Sequence, residues 1–395
     1  MKKKIALLLA LVMIFSVFAV GCGGGDEGGE SGDAKVVKIG VFEPASGDNG
    51  AGGKQETLGV QYANVETPTV EIGGETYNVE LVIVDNESSP EKGITAAQNL
   101  VTSGVSMILG TYGSGVAIAA GPTFAEAGVP AMGITCTNPQ VTIGNDYYFR
   151  MCFLDPFQGT VLANRAWEMG ATKAYCLNKM GDDYSAGLVN YFTEAFTALG
   201  GEVVTEEFEH GNADFAANIA TAKKNGCDVF FSPVSIEAAA LIIDQAQAQD
   251  LGMPILAADT WDSNVVTAAA KGTDLVINVT TFYQEGGSPE FDNGIKAWME
   301  SDSTALANNG GNTDLAAVTA MGYDAYYVAL EALKAAGSTD PADVHAVLPS
   351  VVYENGVCGK VQFGENGDAV RDMAVVKQCN TETGAWEFVS NQYVQ

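Results

Sequence analysis

Residues 107–121, MILGTYGSGVAIAAG, pass from a short apolar stretch through glycines into an alanine-rich stretch, with a hydroxyl, Ser114, at the junction. A strand, a glycine loop and a helix start together make an anion cradle. The first helical turn points unpaired backbone N–H groups and the positive end of the helix dipole at whatever occupies the loop. The phosphate-binding version requires Gly-x-x-x-x-Gly-Lys-Ser/Thr; Ser114 and Gly115 are present here without the lysine, which argues against a nucleotide. A tight turn in which Gly110 and Gly113 only supply positive φ is the alternative, and the loop by itself leaves both open.

Groups for turnover are scarce. The two histidines, His210 in FEHGNAD and His345 in PADVHAVL, stand in no His-x-x-x-His or Gly-x-Ser-x-Gly context. Asp182 and Asp183 in GDDYSAG read as a helix opening, where acidic residues are favoured. Seven cysteines, at 22, 136, 152, 176, 227, 358 and 379, form no Cys-x-x-Cys pair. The expectation is therefore a binding protein, not an enzyme, with no metal and no cofactor. Cys358 and Cys379 flank VQFGENGDAVRDMAVV, which reads as two strands and a turn, so a disulfide across a hairpin and a pair of buried free thiols both stand as readings.

The N-terminus, MKKKIALLLALVMIFSVFAVGC, has a basic start and an apolar run from Ile5 to Val20, the pattern of a secretory signal over residues 1–21. That run is short of the ~20 residues of a membrane span. Ala19-Val20-Gly21-Cys22 resembles the lipobox of bacterial lipoproteins, which implies an acylated Cys22, a bilayer as partner and an extracytoplasmic, lipid-anchored location. Residues 22–34, rich in glycine and acid, read as a flexible tether. With 19 Lys+Arg against 49 Asp+Glu, the net charge of −30 repels polyanions, so nucleic acid is excluded as a partner.

From Val36 onward the pattern alternates. VVKIGVF, VELVIVD, VSMILG, VPAMGI, KAYCLN, EVVTEEF, CDVFFSP and MPILAAD are short apolar runs, mostly continuous, as in strands covered on both faces. Helical stretches lie between them, with Ile94, Ala97, Leu100 and Val101 on one face of the first and Phe215, Ile219 and Ala222 on another. The fold class is α/β with crossover helices. Gly73 and Gly74 mark a hairpin beside the sheet. A second alternating series begins near Asp155 and Pro156, giving two lobes; in open α/β sheets the ligand lies beyond the carboxyl ends of the strands, between such lobes.

KIGVFEPASG, ILGTYGSG, AGVPAMGITCTNPQVT, YFRMCFLDPFQG, GDDYSAG, DTWDS and GYDAYYVALEALKAAGS, in this order and spacing, resemble the solute-binding proteins of branched-chain amino-acid ABC transporters, the leucine/isoleucine/valine-binding family, over residues 36–390. The resemblance implies a type I periplasmic binding protein: two Rossmann-like lobes joined by three hinge crossings, residues 35–155 plus 284–357 forming lobe 1 and 156–283 plus 358–395 forming lobe 2. It also implies a monomer that delivers an amino acid to a membrane permease. A ligand-sensing lipoprotein, or uptake of an amide, urea or aromatic acid, is the alternative. By the same resemblance Ser114, Thr135 and Thr137 hold the ligand's α-carboxylate and Asp259 its α-ammonium. Aromatic residues common in the family are replaced by Gly52 and Val234, so the pocket is roomier or is closed by Tyr112, Tyr184, Trp261 or Tyr283.

Overall fold

The structure is a computed structural model that describes residues 35–393. Cys22 and the signal and tether segments lie outside the described residues. Among those described, no helix is long and apolar enough to cross a membrane.

The first sheet uses β1 (Lys35–Glu43), β2 (Thr69–Ile72), β3 (Glu75–Asp85), β4 (Met107–Leu109), β5 (Ala131–Gly133) and β6 (Tyr148–Arg150) in the order β2-β3-β1-β4-β5-β6. Every pair is parallel except β2–β3, a hairpin turned at Gly73 and Gly74, both at positive φ. Helices α1 (Gly50–Glu66), α2 (Pro90–Thr102) and α3 (Ser114–Ala127) make the crossovers. Ser89 caps α2 by accepting from the Lys92 N–H, with Pro90 in the first turn. Its buried stripe is Gly93, Ala96, Ala97 and Leu100, while Ile94 is exposed. The stripe is rotated from the expected one because α2 approaches α3 at Gly93, where an added Cβ would lie 2.7 Å from Val116.

The second sheet repeats the plan with β7 (Lys173–Lys179), β8 (Glu202–Phe208), β9 (Val229–Phe231), β10 (Ile255–Ala257) and β11 (Ile277–Thr281). Its helices are α4 (Asp155–Glu168), α5 (Asp183–Ala198), α6 (Ala216–Lys224), α7 (Ile236–Ala248) and α8 (Asn264–Ala270). Asp182 caps α5 by accepting from the Ser185 N–H at 2.9 Å. The chain then returns through α9 (Pro289–Ser301), α10 (Ser303–Asn308), α11 (Ala317–Ala336) and α12 (Pro341–Val347), which share the apolar core of β1 and β4. A short ribbon of β12 (Val352–Tyr353) and β13 (Val361–Gln362) follows. Last come β14 (Met373–Asn380) and β15 (Ala385–Tyr393), which complete the order β15-β14-β11-β10-β9-β7-β8.

Of the two readings of Cys358 and Cys379, the structure shows the buried free thiols and not the disulfide. The strands they flank do not pair with each other, since β13 lies on β12 while β14 lies between β11 and β15. Cys358 packs in the core of the first sheet and gives its N–H to Asp324, whereas Cys379 packs in the core of the second opposite Trp386.

Near one passage between the sheets, the buried Lys377 of β14 donates to Asp262 at 2.9 Å; the same carboxylate accepts from Thr281 of β11 and from the Ala317 N–H that opens α11. Removing one partner of a buried ion pair strands the other. Lys377→Met is expected to lower unfolding stability by about 3 kcal/mol or more, read from denaturant titration.

Candidate ligand-binding site

In the first sheet the order of strands reverses direction of progress between β1 and β4; in the second it does so between β7 and β9. Ligands of such sheets lie at these switch points, beyond the carboxyl ends. The chain leaves β4 at Gly110, whose φ is 118° and whose missing Cβ would lie 2.3 Å from the Phe42 carbonyl oxygen. No residue with a side chain fits there. Gly110→Ala is expected to cost about 2 kcal/mol or more of stability, checked by thermal melting.

After Gly110 the loop is pinned from beneath. Tyr112 gives its N–H to Glu43 at the end of β1 at 2.8 Å, and Thr111 accepts from Asn86 at 2.8 Å. Helix α3 then starts at Ser114 with Gly113 at its cap and no side chain capping it. Its first turn therefore keeps open N–H groups, and Ser114 is buried beside them. The Ser114 Oγ accepts from the Asn138 N–H at 3.2 Å, which ties this loop to the one after β5.

That second loop is held from behind by a residue the sequence reading passed over. Arg150 of β6, fully buried, donates to the carbonyls of Cys136 and Asn138 and is itself fixed by Asp368 at 2.6 Å. Thr137 Oγ1 is left buried without a partner, while Thr135 donates to Glu56 of α1.

From the second sheet Asp259 opens a single helical turn just beyond β10. Its Oδ1 accepts from Gln158 Nε2 at 2.7 Å and from the Tyr184 hydroxyl at 2.9 Å, and burial pushes its pKa up to about 6. Asp155, one helical turn before Gln158 on the same face of α4, has both carboxylate oxygens buried with the Thr137 hydroxyl as their polar neighbour; burial pushes it up to about 8.

These loops meet across a cavity of about 60 Å³ lined from both sheets, by Tyr112, Ser114, Tyr184 and Thr260 among others. The two sides touch. Tyr112 donates to the Thr260 carbonyl at 3.2 Å, Asn138 to the Asp183 carbonyl at 2.8 Å, and Lys179 pairs with Asp48 at 2.5 Å at the rim. Tyr112 also accounts for Gly52: a Cβ there would lie 2.6 Å from the Tyr112 ring, so the ring fills the space a side chain at position 52 would take.

Two of the expected aromatics stand elsewhere. Trp261 is fully buried in the second core, its indole N–H on the Val234 carbonyl at 3.1 Å. Tyr283 packs against Phe291, donating to Asp292 and accepting from the Ser288 N–H. The structure thus brings together Tyr112, Ser114, Thr135, Thr137, Tyr184 and Asp259, and adds Glu43, Glu56, Asp155 and Gln158. Of the added four, Asp155 and Gln158 had a usable signal, a polar i, i+3 pair in the first turn of a helix that opens with Asp-Pro. His345 stacks on Tyr147 and His210 is exposed beside Asp48, both apart from the cluster. Among the described residues, no cluster of three or more His, Cys, Asp or Glu side chains is arranged to hold a metal ion.

The periplasmic binding protein family matches residues 36–383. The chain belongs to that family. The Leu/Ile/Val-binding protein homolog 1 of Brucella abortus (strain 2308) is 29% identical over 335 residues, covering 84% of this chain and 87% of the relative. Among solved structures, the leucine-binding protein LivK of Thermotoga maritima is 33% identical with a TM-score of 0.79, covering 91% of this chain and 99% of that one. LivJ of Streptococcus pneumoniae, in complex with isoleucine, is 25% identical with a TM-score of 0.77 over 91% of this chain and 99% of its own. The fold is that of the type I periplasmic binding proteins, and the chain is a solute-binding protein of the Leu/Ile/Val-binding type.

Proposed function

We propose that this protein is an extracytoplasmic lipoprotein that captures an amino acid, of the branched-chain type or a close relative, and delivers it to an ABC permease. The observation that carries the reading is the opposition of unlike ends where the two sheets face each other, beside the cavity lined by Ser114 from one side and by Tyr184 and Thr260 from the other. The uncapped start of α3 with Ser114 suits a carboxylate, and Asp259, served by neutral donors only, suits an ammonium. Thr137, buried beside the Asp155 carboxyl, is a further donor to the carboxylate while that carboxyl keeps its proton. The names of the relatives, leucine-binding and isoleucine-bound, agree with that polarity. Acylation at Cys22 would hold the monomer to the bilayer, where two or three acyl chains are enough for stable anchoring.

In this reading the ligand docks on lobe 1, residues 35–155 plus 284–357, and lobe 2, residues 156–283 plus 358–395, closes over it. Closure brings Asp259 and Tyr184 onto the ligand and forms the contacts from Tyr112 to Thr260 and from Lys179 to Asp48. Calorimetric titration with leucine and with 4-methylpentanoate, which keeps the carboxylate and the side chain but lacks the amine, tests the reading. Leucine is expected to bind at least tenfold more tightly. Equal affinity would remove Asp259 from ammonium recognition.

A further inference from the structure

The two loops assigned to the carboxylate share a foundation that the proposed function does not use. Glu43 holds the glycine loop through the Tyr112 N–H, and Glu56 receives the Thr135 hydroxyl of the threonine loop. Both side chains are buried, and they lie against each other. One oxygen of each, Oε1, has no N–H or hydroxyl donor. No cation is among the groups that act on either carboxyl; their charged and titratable neighbours are each other, Asp259, Tyr112, Tyr148 and Cys136. Burial keeps Tyr112, Tyr148 and Cys136 neutral, and the nearby Arg150 is committed to Asp368 and two carbonyls. Two adjacent buried carboxylates without a cation do not both ionise, so a proton sits between them.

This has a consequence for Thr135. A hydroxyl has one proton to give, and with Glu56 ionised Thr135 spends it on Glu56, leaving only lone pairs for a ligand. With Glu56 protonated, the carboxyl O–H donates to Thr135 Oγ1, and the Thr135 O–H is free to donate onward. We propose that Glu43 and Glu56 are positioning residues that share one proton in the empty protein and take up a second from solvent when a carboxylate ligand binds, which turns the Thr135 hydroxyl from a donor to Glu56 into a donor to the ligand. The inference rests on the amino-acid reading of the cleft. In the bound state Glu43 donates to Glu56, Glu56 to Thr135, and Thr135 to the ligand carboxylate. One O–H bond is formed, one solvent proton is consumed, and the added negative charge of the ligand carboxylate is offset.

Both carboxyls are raised in pKa by burial, Glu56 to about 7, so the second proton becomes harder to acquire as pH rises above that value. Uptake of one proton weakens binding by up to tenfold per pH unit above that titration. Above pH 7, where Asp259 is already ionised and releases no proton to meet the ammonium, calorimetry with leucine as probe, in buffers of different ionisation enthalpy, is expected to count up to one proton taken up per leucine, with Kd rising up to about tenfold between pH 7 and 8. Glu56→Gln, whose amide N–H donates to Thr135 at any pH, is expected to bind leucine with a flat profile over that range. The same slope in wild type and variant, or no proton uptake, would overturn the proposal. A second readout needs no ligand: infrared spectra of the empty protein at pH 7, taken in an Asp155→Asn background that removes the other buried carboxyl raised above 7, should show a protonated carboxyl stretch that is lost or shifted when Glu43→Gln is added. Failure of leucine to bind at all would count against the amino-acid reading. A carboxyl band unaltered by that substitution would count against the shared proton.

Discussion

Asp259→Asn is expected to weaken amino-acid binding tenfold to roughly a hundredfold and to leave the melting temperature of the empty protein unchanged or slightly higher. Both donors to this side chain, from Gln158 and Tyr184, fall on Oδ1, which leaves Oδ2 for the ligand. An asparagine keeps the carbonyl for those donors and replaces the second oxygen with an NH₂ group, which offers an ammonium two protons and no charge. A charge-assisted hydrogen bond contributes about 1.5–3 kcal/mol, and that sets the range of the loss. The empty fold has no cation on Asp259 to strand, and burial already disfavours its charge. Calorimetric titration and melting of the same preparation check both halves. Unchanged affinity, or a collapse in stability, would contradict the assignment.

The second large effect concerns pH. Asp155 and Asp259 are raised by burial from 3.8 to about 8 and about 6. Between the unfolded value and these, the folded protein holds protons that the unfolded chain has released, so unfolding free energy falls as pH rises and levels off only above about 8. Glu43 and Glu56, raised for the same reason, act in the same direction. The empty protein is therefore expected to melt several degrees lower at pH 8 than at pH 5. Asp155→Asn, which removes the group raised to about 8, is expected to flatten the upper part of this profile and to stabilise the protein at pH 8 by at least about 2 kcal/mol. A melting temperature that rises from pH 5 to 8, or a variant no more stable than wild type at pH 8, would contradict the account.

Much of this arrangement is legible in the sequence because it follows from local rules. The continuous apolar runs such as KIGVF and CDVFF are strands buried on both faces, and the glycine turn before an alanine-rich run marks Ser114 as a helix start, which it is. Asp259 stood out for its position at a strand end. Glu43 and Glu56 did not, because a glutamate after VF or within GGKQETLG looks like any solvated acid until two loops and a neighbouring helix close over it. Strand β6 is three residues long and left no periodic trace. Side-chain direction was the other blind spot. Tyr112 faces the cavity while Trp261 and Tyr283 turn into cores, and that outcome is decided by Gly52, Val234 and Asp292, distant in sequence. Cys358 and Cys379 are likewise separated by the sheet each strand joins, which their spacing does not encode.

The most direct test of the central claim, an amino acid held between Ser114 and Asp259, is a thermal-shift screen of the protein against the twenty amino acids, urea, short amides and small aromatic acids. A ligand at a hundred times its Kd stabilises the folded state by about 2.7 kcal/mol, well within the range of such a screen. The account predicts a clear rise with a group of α-amino acids, leucine, isoleucine and valine or their near relatives, and none with the same side chains lacking the amine. Stabilisation by an aromatic acid, amide or urea with no response to any α-amino acid would contradict it.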